Sequence, residues 1–465
     1  MNNIKKVISI GCSGCGALAA LMVKKLNPSL EVTIIREPQE KGLLTRCATP
    51  YICCGDVMVD PSYKDDNIFT GIGIKLVNDS AVRIDREKKA VMTADGNMHL
   101  YDKLILAVGA KPDMPLIPGI KLPGVFTLRT SSDAVNILNW INSRRVRSVV
   151  LVGAGAIGIE KAYLLSRQGV KVIVVEMFGH IMSNVLDSDM AKEVQSYIEA
   201  KGVQLKLNQK VVAINGKDCV ENVTLSSGEN IKADMVVVST GARCNIQLAR
   251  DAGLELGKLG LMVNRFLQTS DNNIYAGGDL IEYQNHITGK PSLGQLRPNA
   301  VIAGRVIAKN ILGFNIEFPP FINAFCTKFF DKSIAGAGLT ELEAKKEDIE
   351  IITAKERSFS KHSMMQGKKP YVVKLLFNRR NQKLIGGQIV SDTENPVKYI
   401  DVIALAIRCG LGVLDLTTLR CAGQPEMSPD PGKEPIALAA ESAFEKIFVN
   451  EYAYDKQDKE VVQKT

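Results

Sequence analysis

Apolar residues near the amino terminus fall into runs separated by short glycine-rich or polar breaks. The run VISI is followed by a glycine-rich turn at residues 11–16, then by the helical pattern ALAALMVKKL and a second apolar run, EVTIIRE. Lys5 and Lys6 before the uncharged run Val7 to Val23 also imitate a signal peptide. A signal peptide explains nothing after Val23, whereas a strand, turn, helix and strand explain the pattern as far as Glu37. The pattern therefore predicts a βαβ unit.

A second unit of the same kind lies further along the chain. The apolar run SVVLV leads into the turn Gly153-Ala-Gly155-Ala-Ile-Gly158, then into the helical pattern IEKAYLLSRQG and the run VKVIVVE, which ends at Glu176. This turn is a complete G-x-G-x-x-G, whereas the first turn has Ser13 at the second glycine position. Small residues let the backbone approach a pyrophosphate on the amino end of the following helix. We predict two dinucleotide sites; a glycine-rich turn without a ligand is the structural alternative.

Each unit ends on a carboxylate that helps to select its cofactor. Glu37 follows the first turn by about 20 residues and is placed to accept hydrogen bonds from ribose hydroxyls. Glu176 has the same position in the second unit. A carboxylate there accepts from a free 2′-hydroxyl and repels a 2′-phosphate, so the second unit predicts NADH in preference to NADPH. Two dinucleotides in one chain favour a flavin working with a nicotinamide cofactor.

Length, charge and cysteine content limit the class of protein. The chain has 465 residues, enough for about three domains. With 23% charged residues and a net charge of +8, neither wholesale disorder nor a nucleic-acid coat protein fits. The second unit and the rest of the chain contain no apolar run long enough to span a membrane. Ten cysteines in so large a chain predict reduced thiols rather than a disulfide scaffold. We therefore expect a cytoplasmic protein with no membrane or nucleic-acid partner.

Three further segments indicate a family. YDKLILAVGAKP (101–112) and ADMVVVSTGAR (233–243) each look like a buried strand running into a turn of small residues, and NNIYAGGD (272–279) is a strand, two glycines and a carboxylate. In order and spacing the chain resembles the pyridine nucleotide-disulfide oxidoreductases over about residues 4 to 450. The resemblance implies an α/β flavoprotein in which one Rossmann-like domain, for NAD, is inserted into another, for FAD, with a C-terminal α+β dimerisation domain. It implies FAD-binding segments at 1–113 and 244–318, an NAD-binding domain at 114–243 and a dimerisation domain at 319–450. The polar residues at 451–465 predict a frayed tail.

The resemblance also implies roles for individual residues. Asp279 would bond to the ribitol or pyrophosphate side of FAD, and RPNAVIAGRVIAKNIL would be a helix pointing at the flavin ring, with Asn299 and Ala300 nearest to the ring. Gly109 would close the first FAD segment and Gly241 the NAD-binding domain. The other implied cofactor contacts lie on the two turns and their acids: Gly11, Ser13, Gly14, Gly16 and Glu37 for FAD, and Gly153, Gly155, Gly158 and Glu176 for NADH.

The segment RCATPYICCG indicates the chemistry. Family members with two redox cysteines keep them as C-x4-C, but here Cys47 is followed by Cys53 and Cys54. In a helix Cys47 would lie about 9 to 10 Å along the axis from them, too far for a disulfide. The placement of Cys47 instead resembles the single-cysteine branch: coenzyme A-disulfide reductases, persulfide or polysulfide reductases, NADH oxidases and NADH peroxidases. Electrons would pass from NADH through FAD to Cys47, whose pKa we expect Arg46 and a helix amino terminus to lower; a buried structural cysteine is the alternative.

The closing segment RCAGQPEMSPDPG supports the same branch. Two-cysteine members use a His-Glu pair there, whereas here Gln424 precedes Pro425 and a glutamine cannot transfer a proton. Two alternatives to a disulfide, persulfide or polysulfide reductase stay open: an NADH oxidase or peroxidase that cycles Cys47 through sulfenic acid, and an electron-transfer or redox-sensing flavoprotein that does not need Cys47. KHSMMQG and DLTTLRC lack the tyrosines of coenzyme A-disulfide reductases. The acceptor could therefore be another sulfur compound or a peroxide.

The remaining cysteines have different expected roles. Cys12 and Cys15 form a C-x-x-C inside the first turn, where we expect small packing residues rather than a metal or redox pair. Cys53 and Cys54 are candidate resolving thiols. The family dimer brings the closing segment of one subunit over the flavin of the other, which makes Cys421 a candidate cross-subunit thiol in a symmetric homodimer.

Overall fold

The computed structural model describes residues 4–39 and 42–462, with side chains as far as residue 449. The first part of the chain forms a parallel α/β layer with an antiparallel excursion. Four of the five residues of its first strand are buried, as expected for a strand with helices on both faces. The elements are β1 (Lys6–Ile10), α1 (Gly16–Leu26), β2 (Glu31–Arg36), β3 (Leu43–Leu44), α2 (Thr49–Cys53), β4 (Tyr63–Lys64), α3 (Asn67–Thr70), β5 (Ile74–Asn78), β6 (Ala81–Asp85), β7 (Ala90–Thr93), β8 (Met98–Leu100), β9 (Lys103–Leu106) and β10 (Ala110–Pro112).

The middle of the chain forms a second parallel sheet, in the order β11-β18-β12-β13-β14. Its long first helix begins with a capping box, in which Thr130 and Asp133 satisfy each other's backbone N–H groups. The elements are β11 (Val125–Phe126), α4 (Ser131–Arg144), β12 (Ser148–Val152), α5 (Ala156–Arg167), β13 (Lys171–Val175), α6 (Ser188–Ala200), β14 (Gln204–Lys206), β15 (Val211–Asn215), β16 (Asn222–Leu225), β17 (Asn230–Lys232), β18 (Met235–Val238) and β19 (Ala242–Cys244).

After this sheet the chain returns to the first one. The strand β20 pairs with β9, which gives the parallel order β20-β9-β1-β2-β5. The antiparallel pair β10 and β19 lies where the chain leaves the first layer and comes back to it. The middle sheet is therefore an insertion between two parts of one sheet. The returning elements are α7 (Gln247–Asp251), β20 (Ile274–Ala276), β21 (Tyr283–Gln284), β22 (Pro291–Ser292) and α8 (Arg297–Ile311).

The last part of the chain is an antiparallel sheet, in the order β23-β24-β27-β26-β25, covered by helices. The predicted α/β class with a C-terminal α+β domain is thus confirmed. The last helix continues to Val462, so the backbone is helical where we expected a frayed tail; residues 463–465 lie outside the described residues. The elements are β23 (Phe325–Phe329), β24 (Lys332–Gly338), α9 (Glu341–Lys346), β25 (Ile351–Phe359), β26 (Pro370–Asn378), β27 (Leu384–Ser391), α10 (Ile400–Cys409), α11 (Val413–Thr417) and α12 (Pro435–Val462).

A buried lysine joins the C-terminal sheet to the middle domain. Lys374 on β26 is only 4% exposed, and its Nζ lies 3.0 Å from a carboxylate oxygen of Asp187, 2.7 Å from Asp189 and 2.7 Å from Glu341. Asp187 is the N-cap of α6, so this contact fixes the start of that helix against the sheet. Over the described ranges, none of the helices has the length and apolarity needed to cross a bilayer.

Candidate active site

The first glycine-rich turn packs so closely that two of its glycines cannot be replaced without strain. Gly11 has φ +105°, and a β-carbon there would lie 2.4 Å from the carbonyl oxygen of Ala107. A β-carbon on Gly16 would lie 2.1 Å from the carbonyl oxygen of Gly11. Ser13 is half-buried, and its own carbonyl accepts from the N–H of Ala17 in α1. The turn thus brings the amino end of α1 to the carboxyl edge of the sheet, which is the geometry that binds pyrophosphate.

The second turn has the same construction and leaves room above its helix. Gly153 has φ +101°, and a β-carbon on Gly158 would lie 2.1 Å from the carbonyl oxygen of Gly153. Gly155 is the N-cap of α5, and a β-carbon on it would meet nothing within 4 Å. The buried carboxylate of Glu176 accepts from the N–H groups of Ala154 (2.7 Å) and Phe178 (3.0 Å). A carboxylate has further lone pairs for a ribose hydroxyl, so this turn fits a dinucleotide.

Glu37, the corresponding acid of the first unit, lies immediately after β2. It is exposed, and its carboxylate accepts a hydrogen bond from Ser80 Oγ at 2.6 Å. The neighbouring Arg36 is buried and is held by Asp66, with Nη–Oδ distances of 2.5 and 2.6 Å, and by Asn78. Arg36 therefore forms a structural ion pair with Asp66, whereas the carboxylate of Glu37 is directed to the surface beside the first turn.

The amino end of α8 meets the first turn. A β-carbon on Gly14 would lie 3.2 Å from Cβ of Ala300, and one on Gly278 would lie 3.5 Å from the same atom. Asn299 donates from Nδ2 to the carbonyl oxygen of Gly294 at 2.9 Å. The structure thus brings Gly14, Ala300 and Gly278 together at one helix terminus, whose positive dipole end favours negative charge.

Asp279 has a partner that the sequence did not reveal. Its carboxylate lies 2.5 Å from Nη2 of Arg129, a residue of the inserted domain. A β-carbon on Gly109 would lie 3.5 Å from the same Nη2 atom, so Gly109 and Asp279 both lie next to the end of the Arg129 side chain. Gly241 is exposed and directly precedes β19, and its carbonyl accepts from the N–H of Asp113.

Cys47 lies in a 3-10 turn, Arg46–Ala48, directly before α2. The residue is exposed, yet desolvation by the surrounding protein raises the pKa of its thiol. The positive charge of Arg297, at the start of α8, lowers this pKa, and the negative charge of Glu160 raises it again. Arg46 instead donates to the carbonyl oxygen of Arg129 at 2.8 Å. Our expectation of a lowered pKa for Cys47 is therefore wrong, because desolvation outweighs the positive charge of Arg297 and the net change is upward.

Glu160 on α5 is the second group near Cys47 that sequence reasoning missed. Its carboxylate accepts a hydrogen bond from the hydroxyl of Thr327 on β23, and burial raises its pKa. A carboxyl group with a raised pKa beside a thiol is suited to exchanging a proton with it. The available signal was a single acid two residues after the last glycine of the second turn, in a helix that is otherwise mostly apolar and in which Lys161 follows it.

The closing segment does contain an acid–base pair, although not one that its own sequence shows. His362, from the connection between β25 and β26, donates its backbone N–H to the carbonyl oxygen of Pro425 at 2.9 Å. Its ring Nε2 lies 3.2 Å from Oδ2 of Asp430, and the N–H of Gly432 together with His362 lowers the pKa of that carboxyl. Gln424 serves the local turn instead, because its side-chain oxygen accepts from the N–H of Glu426.

The other cysteines range from buried to exposed. Cys15 is buried at the start of α1, where desolvation raises its pKa to about 12, and a β-carbon on Gly277 would lie 2.8 Å from its sulfur. These contacts agree with a packing role. Cys53 and Cys54 are also buried, whereas Cys421 is exposed on the closing segment. Among the described residues no group of three or more histidine, cysteine or acidic side chains is arranged to hold a metal ion.

The fold and the two turns define a two-dinucleotide oxidoreductase. Residues 5–304 match the family model described as pyridine nucleotide-disulphide oxidoreductase, and residues 325–434 match the dimerisation domain of the same family. The chain therefore belongs to the pyridine nucleotide-disulfide oxidoreductase family, as its sequence motifs predicted. The close-packed glycines of both turns and the open space above Gly155 fit FAD and a nicotinamide dinucleotide, so the protein is a flavin- and NAD(P)H-dependent oxidoreductase with a dimerisation domain.

Relatives with known names cover nearly the whole chain. It is 35% identical over 453 residues to an NADH oxidase of Methanocaldococcus jannaschii, an alignment that spans 95% of this chain and 99% of the relative. It is 34% identical over 436 residues to a coenzyme A-dependent NAD(P)H sulfur oxidoreductase of Pyrococcus abyssi, with 91% and 95% covered. An NAD-dependent persulfide reductase from A. fulgidus has a similar solved structure, with a TM-score of 0.90, 31% identity, and 95% of this chain and 83% of that chain covered.

Proposed function

We propose that this protein is an NADH-dependent flavoenzyme that reduces a disulfide, persulfide or polysulfide through Cys47. The observation that carries the proposal is the exposed thiol of Cys47, on which the positive charge of Arg297, at the amino end of α8, and the negative charge of the half-buried Glu160 both act. A cation stabilises the thiolate, and a carboxyl group with a raised pKa can return a proton. The named relatives include sulfur and persulfide reductases, which supports the choice of substrate class.

The chain would divide the reaction between a few side chains. When bound, FAD supplies the transfer of two electrons from the nicotinamide to sulfur. The Cys47 thiolate attacks one sulfur of the substrate, which forms a mixed disulfide and releases the other half as a thiolate. Two electrons then cleave this mixed disulfide, and the second thiol leaves with a proton that Glu160 is placed to provide. Arg297 would stabilise the sulfur anion at both stages.

The proposed cofactor pair places FAD on the first turn and NADH on the second. Glu176 supports NADH, because its carboxylate already lies at the turn and would repel a 2′-phosphate. Gly153, Gly155 and Gly158 would bind the pyrophosphate of NADH, while Gly11, Ser13, Gly14 and Gly16 would bind that of FAD. Glu37 and Asp279 would bond to the adenosine ribose and to the ribitol or pyrophosphate of FAD, with Asn299 and Ala300 at the flavin ring and Gly109 and Gly241 at the connections between domains.

A second candidate is an NADH oxidase or peroxidase. The relative from Methanocaldococcus jannaschii is named as an NADH oxidase, and the exposure of Cys47 suits a sulfur that is oxidised to sulfenic acid by a small peroxide. Both candidates use the same cysteine and both cofactors. They differ in the acceptor, which is therefore what the experiment must vary.

The test is a steady-state comparison of acceptors with the purified holoenzyme. Under anaerobic conditions NADH and NADPH are each supplied with coenzyme A disulfide, coenzyme A persulfide, polysulfide or peroxide, and oxygen is tested separately. We expect a sulfur acceptor to give the highest kcat/KM, and Cys47→Ser to lose at least about 1000-fold of it while keeping its flavin absorbance. Cys409→Ser, which removes another exposed thiol on α10, is the matched control and should keep full turnover.

Each other outcome has a defined meaning. Fastest turnover with peroxide or oxygen would replace the reductase by the oxidase or peroxidase. Full turnover of Cys47→Ser with every acceptor would refute the cysteine mechanism and favour an electron-transfer flavoprotein. A preference for NADPH of more than tenfold would refute the role given to Glu176.

A further inference from the structure

Two adjacent thiols end the helix that begins beside Cys47. The sulfur atoms of Cys53 and Cys54 lie 3.6 Å apart, and the residues are only 1% and 4% exposed. Cys53 also donates to the carbonyl oxygen of Pro50 at 3.0 Å. The proposed reaction uses neither thiol, and the charged groups that act on the Cys47 thiol, Arg297 and Glu160 foremost, are not those that act on this pair.

A buried lysine interacts electrostatically with this pair. Lys161 on α5 is 1% exposed, and its Nζ donates to Ser239 Oγ at 2.9 Å. Desolvation lowers its pKa to about 8, while the negative charges of Cys53, Glu160, Cys54 and Asp133 favour its charged form. A fully buried ammonium is costly unless an anion compensates it. The charge of Cys53 has the largest of these four effects, and the reaction at Cys47 assigns no role to it or to Cys54.

The two sulfurs have different roles: Cys54 is the hydrogen-bond donor and Cys53 is the nucleophile. The hydrogen bond from Cys54 is the main cause that lowers the pKa of Cys53, and the charge of Lys161 lowers it further against desolvation and the charge of Asp56. The same hydrogen bond raises the pKa of Cys54. The first proton is therefore lost from Cys53, and Cys54 keeps its own until its neighbour reacts.

We propose that Cys53 and Cys54 are a second redox site of this protein, a vicinal dithiol beside Lys161 that low-molecular-weight disulfides or polysulfides oxidise reversibly to a disulfide. The Cys53 thiolate attacks one sulfur of the oxidant, RSSR, and displaces one RS⁻. The released RS⁻ takes the proton of Cys54, and the Cys54 thiolate attacks the sulfur of Cys53, which displaces the second RS⁻. This second anion takes from solvent the proton that Cys53 had lost. The sum is one RSSR and two protein thiols converted to two RSH and one protein disulfide.

The site is built for reversible rather than structural oxidation. Adjacent Cα atoms are about 3.8 Å apart, closer than the usual span of about 4.4–6.8 Å between the Cα atoms of a disulfide. A constrained disulfide is more easily reduced than a structural one. Residues 55–58, directly after the pair, are exposed, and Gly55 has φ +76°. Opening of this turn would admit the oxidant, so the pair should react more slowly than the exposed Cys47.

The test uses the Cys47→Ser holoenzyme and dithiodipyridine, a small disulfide, followed by denaturation, alkylation and mass spectrometry of the peptide that contains both cysteines. We expect this peptide to lose two hydrogens and to carry no label, and dithiothreitol to restore it. Cys54→Ser should instead retain one pyridylthio group on Cys53. Lys161→Met should slow the reaction of Cys53 about tenfold at neutral pH, because the cation that favours the thiolate is gone.

Three results would overturn the proposal. In the first, Cys53 and Cys54 are both still alkylated as free thiols after treatment with an amount of oxidant that fully modifies Cys47 in the wild type. Each cysteine could carry its own label, which would show independent thiols. Loss of two hydrogens only after the flavin absorbance has disappeared would show oxidation of unfolded protein. The buried Cys15 is an internal control that should remain a thiol. Because Cys47 is absent from the test protein, none of these results depends on the proposed function.

Discussion

Replacing Lys161 by methionine should stabilise the protein near neutral pH and lose that effect in alkali. The ammonium group is fully buried, and desolvation is the largest influence on its pKa, which falls from 10.5 to about 8. Methionine has a similar length and no charge to desolvate, so it should fill the same space on α5. The folded protein no longer has to keep a proton on a buried amine at pH 7.

The magnitude follows from the displacement of the pKa. A fall from 10.5 to about 8 corresponds to about 3 kcal/mol of folding free energy. Below pH 8 both the folded and the unfolded lysine are protonated, and the full cost is present. Between the two pKa values only the unfolded form binds the proton, so the stability of the wild type rises with pH and the cost is removed. Loss of the hydrogen bond to Ser239 destabilises the variant by about 1 kcal/mol. The variant should therefore be more stable by about 2 kcal/mol at pH 7.

The assay is the difference in melting temperature between variant and wild type, followed by circular dichroism from pH 7 to pH 10.5. A gain of about 2 kcal/mol in the free energy of unfolding should raise the melting temperature by roughly 4 to 10 °C. Lys171→Met, which removes an exposed lysine at the start of β13, controls for the loss of one positive charge. A difference that stays constant with pH, or a variant that is less stable at every pH, would refute the buried-ammonium reasoning.

Four further predictions concern the cofactor sites, the proton path and the domain contact. Glu176→Ala should raise the ratio of kcat/KM for NADPH to that for NADH about tenfold, and an unchanged ratio would contradict the placement of the ribose. Gly11→Ala should purify with little flavin, because its β-carbon would meet a carbonyl oxygen at 2.4 Å; stoichiometric FAD would count against this turn. Glu160→Gln should lower kcat at least tenfold and remove the alkaline limb of the kcat–pH profile, since its neutral carboxylic acid is lost as pH rises through a raised pKa. Lys374→Ala should cost about 3 kcal/mol, read as a lower melting temperature, because three carboxylates lose their cation.

Periodicity and spacing predicted the two nucleotide-binding units well, because glycines in close-packed turns are a local requirement. The insertion of a domain between β9 and β20 could be inferred only from the family resemblance, since these two paired strands are far apart in sequence. The groups around Cys47 were hidden for the same reason: Arg297 is on α8 and Glu160 on α5, and no local pattern connects them to the 3-10 turn. Arg46, the neighbour in sequence, donates to a backbone carbonyl instead.

His362 shows what is missed when each segment of a sequence is considered by itself. The absence of a histidine from RCAGQPEMSPDPG is correct as a statement about that stretch, but a loop of the neighbouring sheet supplies His362 to it. The prediction of a thiol with a low pKa failed because desolvation acts through the whole packed environment. A sequence records neighbouring charges but not how much water the fold removes.

The pairing of β20 with β9 constrains the order in which the newly made chain can fold. While the ribosome is still translating the middle of the message, the first sheet lacks its edge strand, and α8 has not yet been made to pack on α1. The inserted domain, in contrast, is continuous and can fold as soon as it emerges. The first sheet should therefore be completed after the inserted one, even though its first strand is the first to leave the exit tunnel.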